Sequence, residues 1–101
     1  MASRLSLQTT LEDILGSRNV YFQPPESIRM NYPAIVYKRS DIRNLFANNK
    51  AYKTMKQYQI ILIDKNPDSE FIDSLSKLPH IRFQRHYTSD NLNHDVFVIY
   101  Y

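Results

Sequence analysis

The spacing of apolar residues near the start of the chain predicts a first helix. Four apolar residues lie at positions i, i+4, i+7 and i+8, which form one face of an amphipathic α-helix. They are Leu7, Leu11, Ile14 and Leu15. Gly16 follows immediately, and we expect it to end the helix because glycine readily adopts the left-handed conformation of a helix C-terminus.

Two short strands are predicted after this helix. Residues 20–23 are aromatic or β-branched and are followed by two prolines, a pattern typical of a strand at a sheet edge. A second strand is predicted from Ala34 to Arg39 or Asp41. Residues 43–50 are rich in asparagine and predict a polar loop that carries two apolar side chains.

A long third strand and a second helix come next. Residues 52–63 predict one long strand, whose first half is polar on both faces and whose second half, from Ile60 to Ile63, is apolar on both. Asn66 then predicts a helix cap, with Pro67 at the first helical position and Pro79 after the end of the helix.

The last part of the chain predicts two more strands. Residues 80–87 alternate as in a half-buried strand, a turn-rich connection spans residues 88–93, and residues 94–101 alternate again. The predicted order is α-β-β-β-α-β-β. It predicts an α+β fold with two helices on a mostly antiparallel or mixed sheet, as one domain spanning residues 1–101.

Composition excludes several classes of site. The chain of 101 residues has one glycine and no cysteine. A glycine-rich phosphate loop is therefore excluded, as are disulfides and cysteine nucleophiles. No apolar run approaches the length of about 18 residues that a membrane span needs, so no membrane contact is expected.

Candidate catalytic and metal-binding chemistry is weak. The three histidines, His80, His86 and His94, lack the short spacing of metal ligands. The segment that begins at Asp64 has oxygen ligands at alternate positions, but Ser69 stands where a calcium loop needs glycine. No nucleophile elbow is present. We therefore predict no enzyme activity, no metal and no cofactor.

The middle of the chain carries a cluster of cations. The predicted DNA-facing or charged surface consists of Arg39, Arg43, Lys50, Lys53 and Lys56. Tyrosines lie among them, and basic grooves with aromatic side chains bind single-stranded nucleic acid. The net charge is only +3, however, and the glycine-containing signature of an RNA-recognition motif is absent. Contact with a phosphate backbone without base recognition is the stronger form of this hypothesis.

Five segments of the chain resemble a family of small neck proteins of tailed bacteriophages, the tail completion or tail terminator proteins. The segments are Val20 to Pro25, Ser27 to Met30, Tyr32 to Tyr37, Ile63 to Ser69 and Tyr87 to His94. The resemblance implies a virion protein, assembled in the host cytoplasm, that forms a ring of six copies at the head-proximal end of the tail tube. Such a ring would end tube polymerisation, join the tail to the head-closure ring and let DNA pass without sequence-specific contact.

A ring of this kind needs two different complementary surfaces on each subunit. The candidate subunit interface consists of Leu45, Phe46, Tyr52, Met55 and Tyr58. A solvated hairpin without a partner is the alternative interpretation of this segment. At the level of function, the alternatives are a head-closure or adaptor protein of the same neck and a small basic regulatory protein that binds nucleic acid.

Overall fold

The computed structural model describes residues 4–25, 28–47 and 50–101, except for the side chains of residues 43–47 and 50–54. The element order confirms the predicted α+β fold. The elements are α1 (Arg4–Leu15), β1 (Val20–Phe22), β2 (Ala34–Ala47), β3 (Lys50–Asp64), α2 (Phe71–Ser76), β4 (Ile81–Ser89) and β5 (Leu92–Tyr100).

The five described strands form one mixed sheet in the order β1-β2-β3-β5-β4. β1 is parallel to β2, and the other neighbouring strands are antiparallel. β1 lies at one edge, as its composition predicts, and β4 lies at the other. The central strand is therefore β3, whose apolar second half pairs with β2 on one side and β5 on the other.

The hydrophobic core lies between the two helices and the sheet. Leu7 and Leu11 of α1 and Leu75 of α2 have no exposed surface. They belong to one cluster with apolar residues of β2, β3 and β5. The sheet residues are Ile35, Tyr37, Tyr58, Ile60, Leu62, Phe97 and Ile99. Burial of these side chains is the main favourable contribution to folding.

A hydrogen-bonded chain joins α1 to the sheet. Arg4 Nη1 donates to the Tyr37 hydroxyl at 3.3 Å, and that hydroxyl donates to Gln8 Oε1. Gln8 Nε2 donates to the carbonyl oxygen of Val20 at 3.0 Å. Burial raises the pKa of the Tyr37 hydroxyl. Because each buried polar group has a partner, α1 is fixed in its orientation on β1 and β2.

The predicted loop at residues 43–50 was wrong over its described part. β2 continues to Ala47 and β3 begins at Lys50, so the two strands form a long hairpin. The backbone pairing runs from Ala34–Ile63 to Ala47–Lys50. Asparagine is disfavoured in strands by local propensity, but pairing with a neighbouring strand overrides this preference.

The predicted start of the second helix was also wrong. α2 begins at Phe71, and Glu70 occupies its N-cap without a side-chain capping bond. The Asn66 backbone N–H donates to Asp64 Oδ1 at 3.1 Å, and the Asp68 backbone N–H donates to Asn66 Oδ1 at 3.0 Å. These bonds make consecutive turns, because Asp and Asn side chains compete with the helix for backbone donors.

The connection between the last two strands is shorter than predicted. β4 extends to Ser89 and β5 begins at Leu92, so Asp90 and Asn91 alone form the turn. Their φ angles are 52° and 62°. A two-residue hairpin turn of this kind needs positive φ at both positions, which Asp and Asn tolerate better than most residues.

We predict that Gly16→Ala destabilises the protein through backbone strain alone. Gly16 has a φ of 73°, and no atom lies within 4 Å of the position that a Cβ would take. The left-handed conformation costs an alanine about 1 kcal/mol relative to glycine. Chemical denaturation should show this loss, whereas Asp13→Ala on the exposed side of α1 should change stability by less than about 0.5 kcal/mol. A Gly16→Ala variant as stable as the wild type would contradict the capping role.

Candidate interaction surfaces

The far half of the β2–β3 hairpin extends beyond the rest of the sheet. β5 pairs with β3 only from Gln57 to Asp64, with one further bond from the Tyr101 backbone N–H to the Lys56 oxygen at 2.9 Å. β1 pairs with β2 only as far as Tyr37. Residues 41–47 and 50–56 therefore form a two-stranded ribbon, which we call the hairpin arm.

The base of the hairpin arm is marked by an irregularity in strand pairing. The register shifts between Arg39 and Asp41, so Ser40 is an extra residue on β2. Ser40 Oγ donates to the backbone oxygen of Gln57 at 3.3 Å and lies 3.1 Å from its Oε1. Gln57 Nε2 in turn donates to the Tyr100 hydroxyl at 3.2 Å. These bonds fix the point at which the arm leaves the sheet.

The hairpin arm is long for a ribbon of two strands. Seven residues on each side correspond to about 23 Å at roughly 3.3 Å per residue. Among the described residues, no third strand pairs with it. An isolated two-stranded hairpin is at best marginally stable in water and gains stability by packing against another surface. This geometry suits a role in contact with another molecule.

The structure separates the residues of the predicted subunit interface. Tyr58 is only 2% exposed and belongs to the core, so its assignment to an interaction surface was wrong. It pairs with Ile99 in register and therefore lies under the helices. Met55 is partly buried at the base of the hairpin arm. Leu45, Phe46 and Tyr52 lie on the arm, but their side chains are outside the described part of the chain.

The predicted cationic surface lies along the same arm. Arg39 is exposed just before the arm, and Lys56 is partly buried at its base. Arg43 is opposite Met55 in the strand register, Lys50 is opposite Ala47 and Lys53 is opposite Leu45. The side chains of Arg43, Lys50 and Lys53 are outside the described part of the chain.

The sequence did not predict a second exposed surface, on edge strand β4. Every residue of β4 except Ile81 is exposed, including Phe83, which is 51% exposed and touches Phe97 edge to face at 5.5 Å between ring centres. A register shift between Phe83 and Arg85 interrupts the alternation that predicted a half-buried strand. Two arginines, Arg82 and Arg85, give the strand a positive charge.

A buried carboxylate lies where β4 and β5 pair. Asp95 is 4% exposed, and its Oδ1 lies 2.7 Å from His86 Nδ1. His86 and Asp95 are directly opposite in the strand register, so the backbone brings the two groups together. Buried carboxylates are expensive unless they are hydrogen-bonded or paired, and His86 supplies that partner. No sequence spacing predicts this pair, because the strand register and not the distance along the chain brings the two residues together.

Several surface depressions lie in the described part of the structure, and one of about 450 Å³ lies at the β4–β5 turn, beside Asp90 and Asn91. An open groove of about 420 Å³ lies beside Pro24, Val36 and Ile61, with Lys38 and Arg39 also lining it. A smaller apolar niche of about 250 Å³ lies between the end of α2 and the end of β5. The described residues that line the open groove include no carboxylate or histidine.

The described residues contain neither a cluster of metal ligands nor a helix that could span a membrane. No group of three or more histidine and carboxylate side chains there converges as a metal site would require. Neither described helix has the length and apolar character needed to traverse a bilayer.

Comparison of this chain with protein-family models, with curated proteins and with solved structures finds no match.

We predict that His86→Ala costs about 1–3 kcal/mol of folding stability, because the Asp95 carboxylate then stays buried without its partner. Urea denaturation of the variant checks this value. Arg82→Ala, on the same strand and exposed, is the matched control and should change stability by less than about 0.5 kcal/mol. Equal stability of His86→Ala and the control would show that the pair contributes nothing.

Proposed function

We propose that this protein is a structural subunit of the neck of a tailed bacteriophage. In this function, about six copies assemble into a closed, symmetric ring. The ring lies at the head-proximal end of the tail tube. The ring ends polymerisation of the tube and presents a surface to the head-closure ring. DNA passes through its lumen without sequence-specific contact. The protein makes and breaks no covalent bond in this role.

The hairpin arm is the observation that carries this proposal. It extends about 23 Å beyond the part of β2 and β3 that pairs with β1 and β5. No third described strand pairs with it. A protein that acted alone would gain nothing from such an extension, since an unsupported ribbon adds edges without adding core. An assembly subunit gains a contact that reaches into its neighbour.

The exposed edge of β4 supports the same function. Besides the contacts between its own copies, a neck subunit needs a surface for the tail tube or the head-closure ring. The arm and the β4 edge lie on different parts of the sheet and are both unpaired in the described structure. The β4 edge therefore offers the tail tube or the head-closure ring a surface that contacts between copies do not occupy.

Nucleic-acid binding is the second candidate function, favoured by the cations of the hairpin arm and of β4. It predicts salt-sensitive binding of short DNA by a monomer or dimer, with no effect on tail assembly. A head-closure or adaptor protein would bind the same neck but would not stop growth of tail tubes. Light scattering coupled to size-exclusion chromatography, together with tube-length measurement, separates the three functions.

We predict that removal of the hairpin arm abolishes capping of tail tubes while the body remains folded. The variant joins Ile42 directly to Lys56 through an Asn-Gly turn, which suits a two-residue hairpin. The core cluster contains no residue of the deleted segment among those described, so thermal unfolding should remain cooperative. Electron microscopy of tubes polymerised with the wild-type protein should show defined ends, and tubes polymerised with the variant should continue to grow.

The control for this experiment is a change on the body that leaves the arm intact. Arg18→Ala alters an exposed cation in the turn after α1 and should cap tubes as the wild type does. If the wild-type protein fails to stop tube growth, the tail-terminator function is wrong. If the arm-deleted variant caps as well as the wild type, the arm is not the contact that matters.

A further inference from the structure

Two segments of the chain carry opposite formal charges of equal size. The hairpin arm, residues 41–47 and 50–56, contains four cations and one carboxylate, a net charge of +3. The segment that joins β3 to α2, residues 64–73, contains four carboxylates and one lysine, a net charge of −3. We call it the acidic segment. The rest of the chain carries the remaining net charge of +3, spread over several elements.

These two segments lie at opposite ends of the molecule. β3 begins at Lys50 in the arm and ends at Asp64 in the acidic segment, and its 15 residues span about 50 Å. The longest dimension of the protein is 51 Å. One strand therefore runs the full length of the subunit, and the arm lysines on it lie about 26 Å (Lys56) to about 46 Å (Lys50) from Asp64. The two charged segments cannot neutralise each other within one copy, since interactions between exposed charges are screened beyond about 10 Å.

The carboxylates of the acidic segment are available for an external contact. Asp68, Glu70 and Asp73 are exposed, and no described cation pairs with them. The backbone that carries them is held by the turns at Asp64 and Asn66 and by a bond from the Asn93 side chain to the Asp64 oxygen at 3.3 Å. These carboxylates are therefore displayed on an ordered segment.

We propose that the hairpin arm of one copy docks on the acidic segment of a second copy. This inference rests on the proposed function and identifies the partner of the arm. Opposite net charges of equal size favour this pairing over contact between two arms. The arrangement is head to tail, so each copy uses both ends, and repetition of the contact generates a ring or a filament.

The edge of β4 is a poorer partner for the arm. Arg82 and Arg85 are exposed there, and the strand contains no carboxylate. An arm laid along β4 would place cations beside cations, which destabilises cross-strand pairs. Nucleic acid would satisfy the charge of the arm but would leave the acidic segment without a partner, whereas a second copy satisfies both.

Charge reversal at each end tests this contact. The arm-reversed variant carries Lys53→Glu and Lys56→Glu, and the segment-reversed variant carries Asp68→Lys and Glu70→Lys. Self-association is measured by analytical ultracentrifugation over a range of protein concentrations at low salt. Each variant alone should associate at least about tenfold more weakly than the wild type, because like charges then face each other. An equimolar mixture should recover association, since each contact then joins opposite charges.

A control variant changes the net charge by the same amount elsewhere. Arg18→Glu with Arg29→Glu alters two exposed cations outside the arm and should associate as the wild type does. Circular dichroism establishes that all variants are folded. Short DNA is then added to test nucleic acid as the competing partner of the arm. If nucleic acid is the partner, the arm-reversed variant loses DNA binding and mixing the two variants restores no association.

Three results would overturn the proposal. They are a wild-type protein that stays monomeric at every concentration, reversed variants that associate like the wild type, and a mixture that fails to recover association. Failure of the proposed function is recognised separately, since it is measured by capping of tail tubes. A wild-type protein that caps tubes although charge reversal leaves association unchanged would retain the function and refute this contact.

Discussion

The pairing of β2 with β3 is the interaction on which the rest of the structure depends. It is the longest strand pair in the described structure, and every other element is placed relative to it. At one half, β1 and β5 extend the pair into a sheet that the helices cover. Along the other half, the backbone hydrogen bonds between β2 and β3 continue, and no third described strand pairs with them. One hairpin thus provides both the centre of the core and the extension that reaches beyond it.

The division between the two halves follows from side-chain composition along β3. From Tyr58 onward the strand is largely apolar and supplies Ile60 and Leu62 to the core. Before Tyr58 it is polar and basic, so burial under a helix would remove charges from water at high cost. Antiparallel pairing satisfies the backbone N–H and C=O groups of both halves equally well. Hydrophobic burial stabilises only the half from Tyr58 onward. The polar and basic half of β3 therefore receives less stabilisation from hydrophobic burial than the half that lies under the helices.

Local signals in the sequence predicted the fold class and most elements, and failed where pairing partners decide the outcome. Leu7, Leu11 and Gly16 predicted α1 correctly because periodicity and capping are local properties. Residues 43–50 predicted a loop because their asparagines disfavour a strand when they are considered without β3 opposite β2. Tyr58 was assigned to a surface because alternation shows which residues share a face but does not show where the neighbouring strand ends.

The direction of the hairpin arm determines what a head-to-tail contact can build. Identical contacts close into a ring only when the rotation from one copy to the next divides a full turn, and otherwise they produce a filament. That rotation depends on the angle between the arm and the body. Two register shifts, at Arg39/Asp41 and at Leu45/Phe46, lie along β2. Such irregularities bend a strand and increase its twist. The shift at Arg39/Asp41 lies at the base of the arm and therefore sets the angle at which the arm leaves the sheet. The irregularity at Ser40 is therefore the feature of the fold through which local backbone geometry would control closure of the assembly.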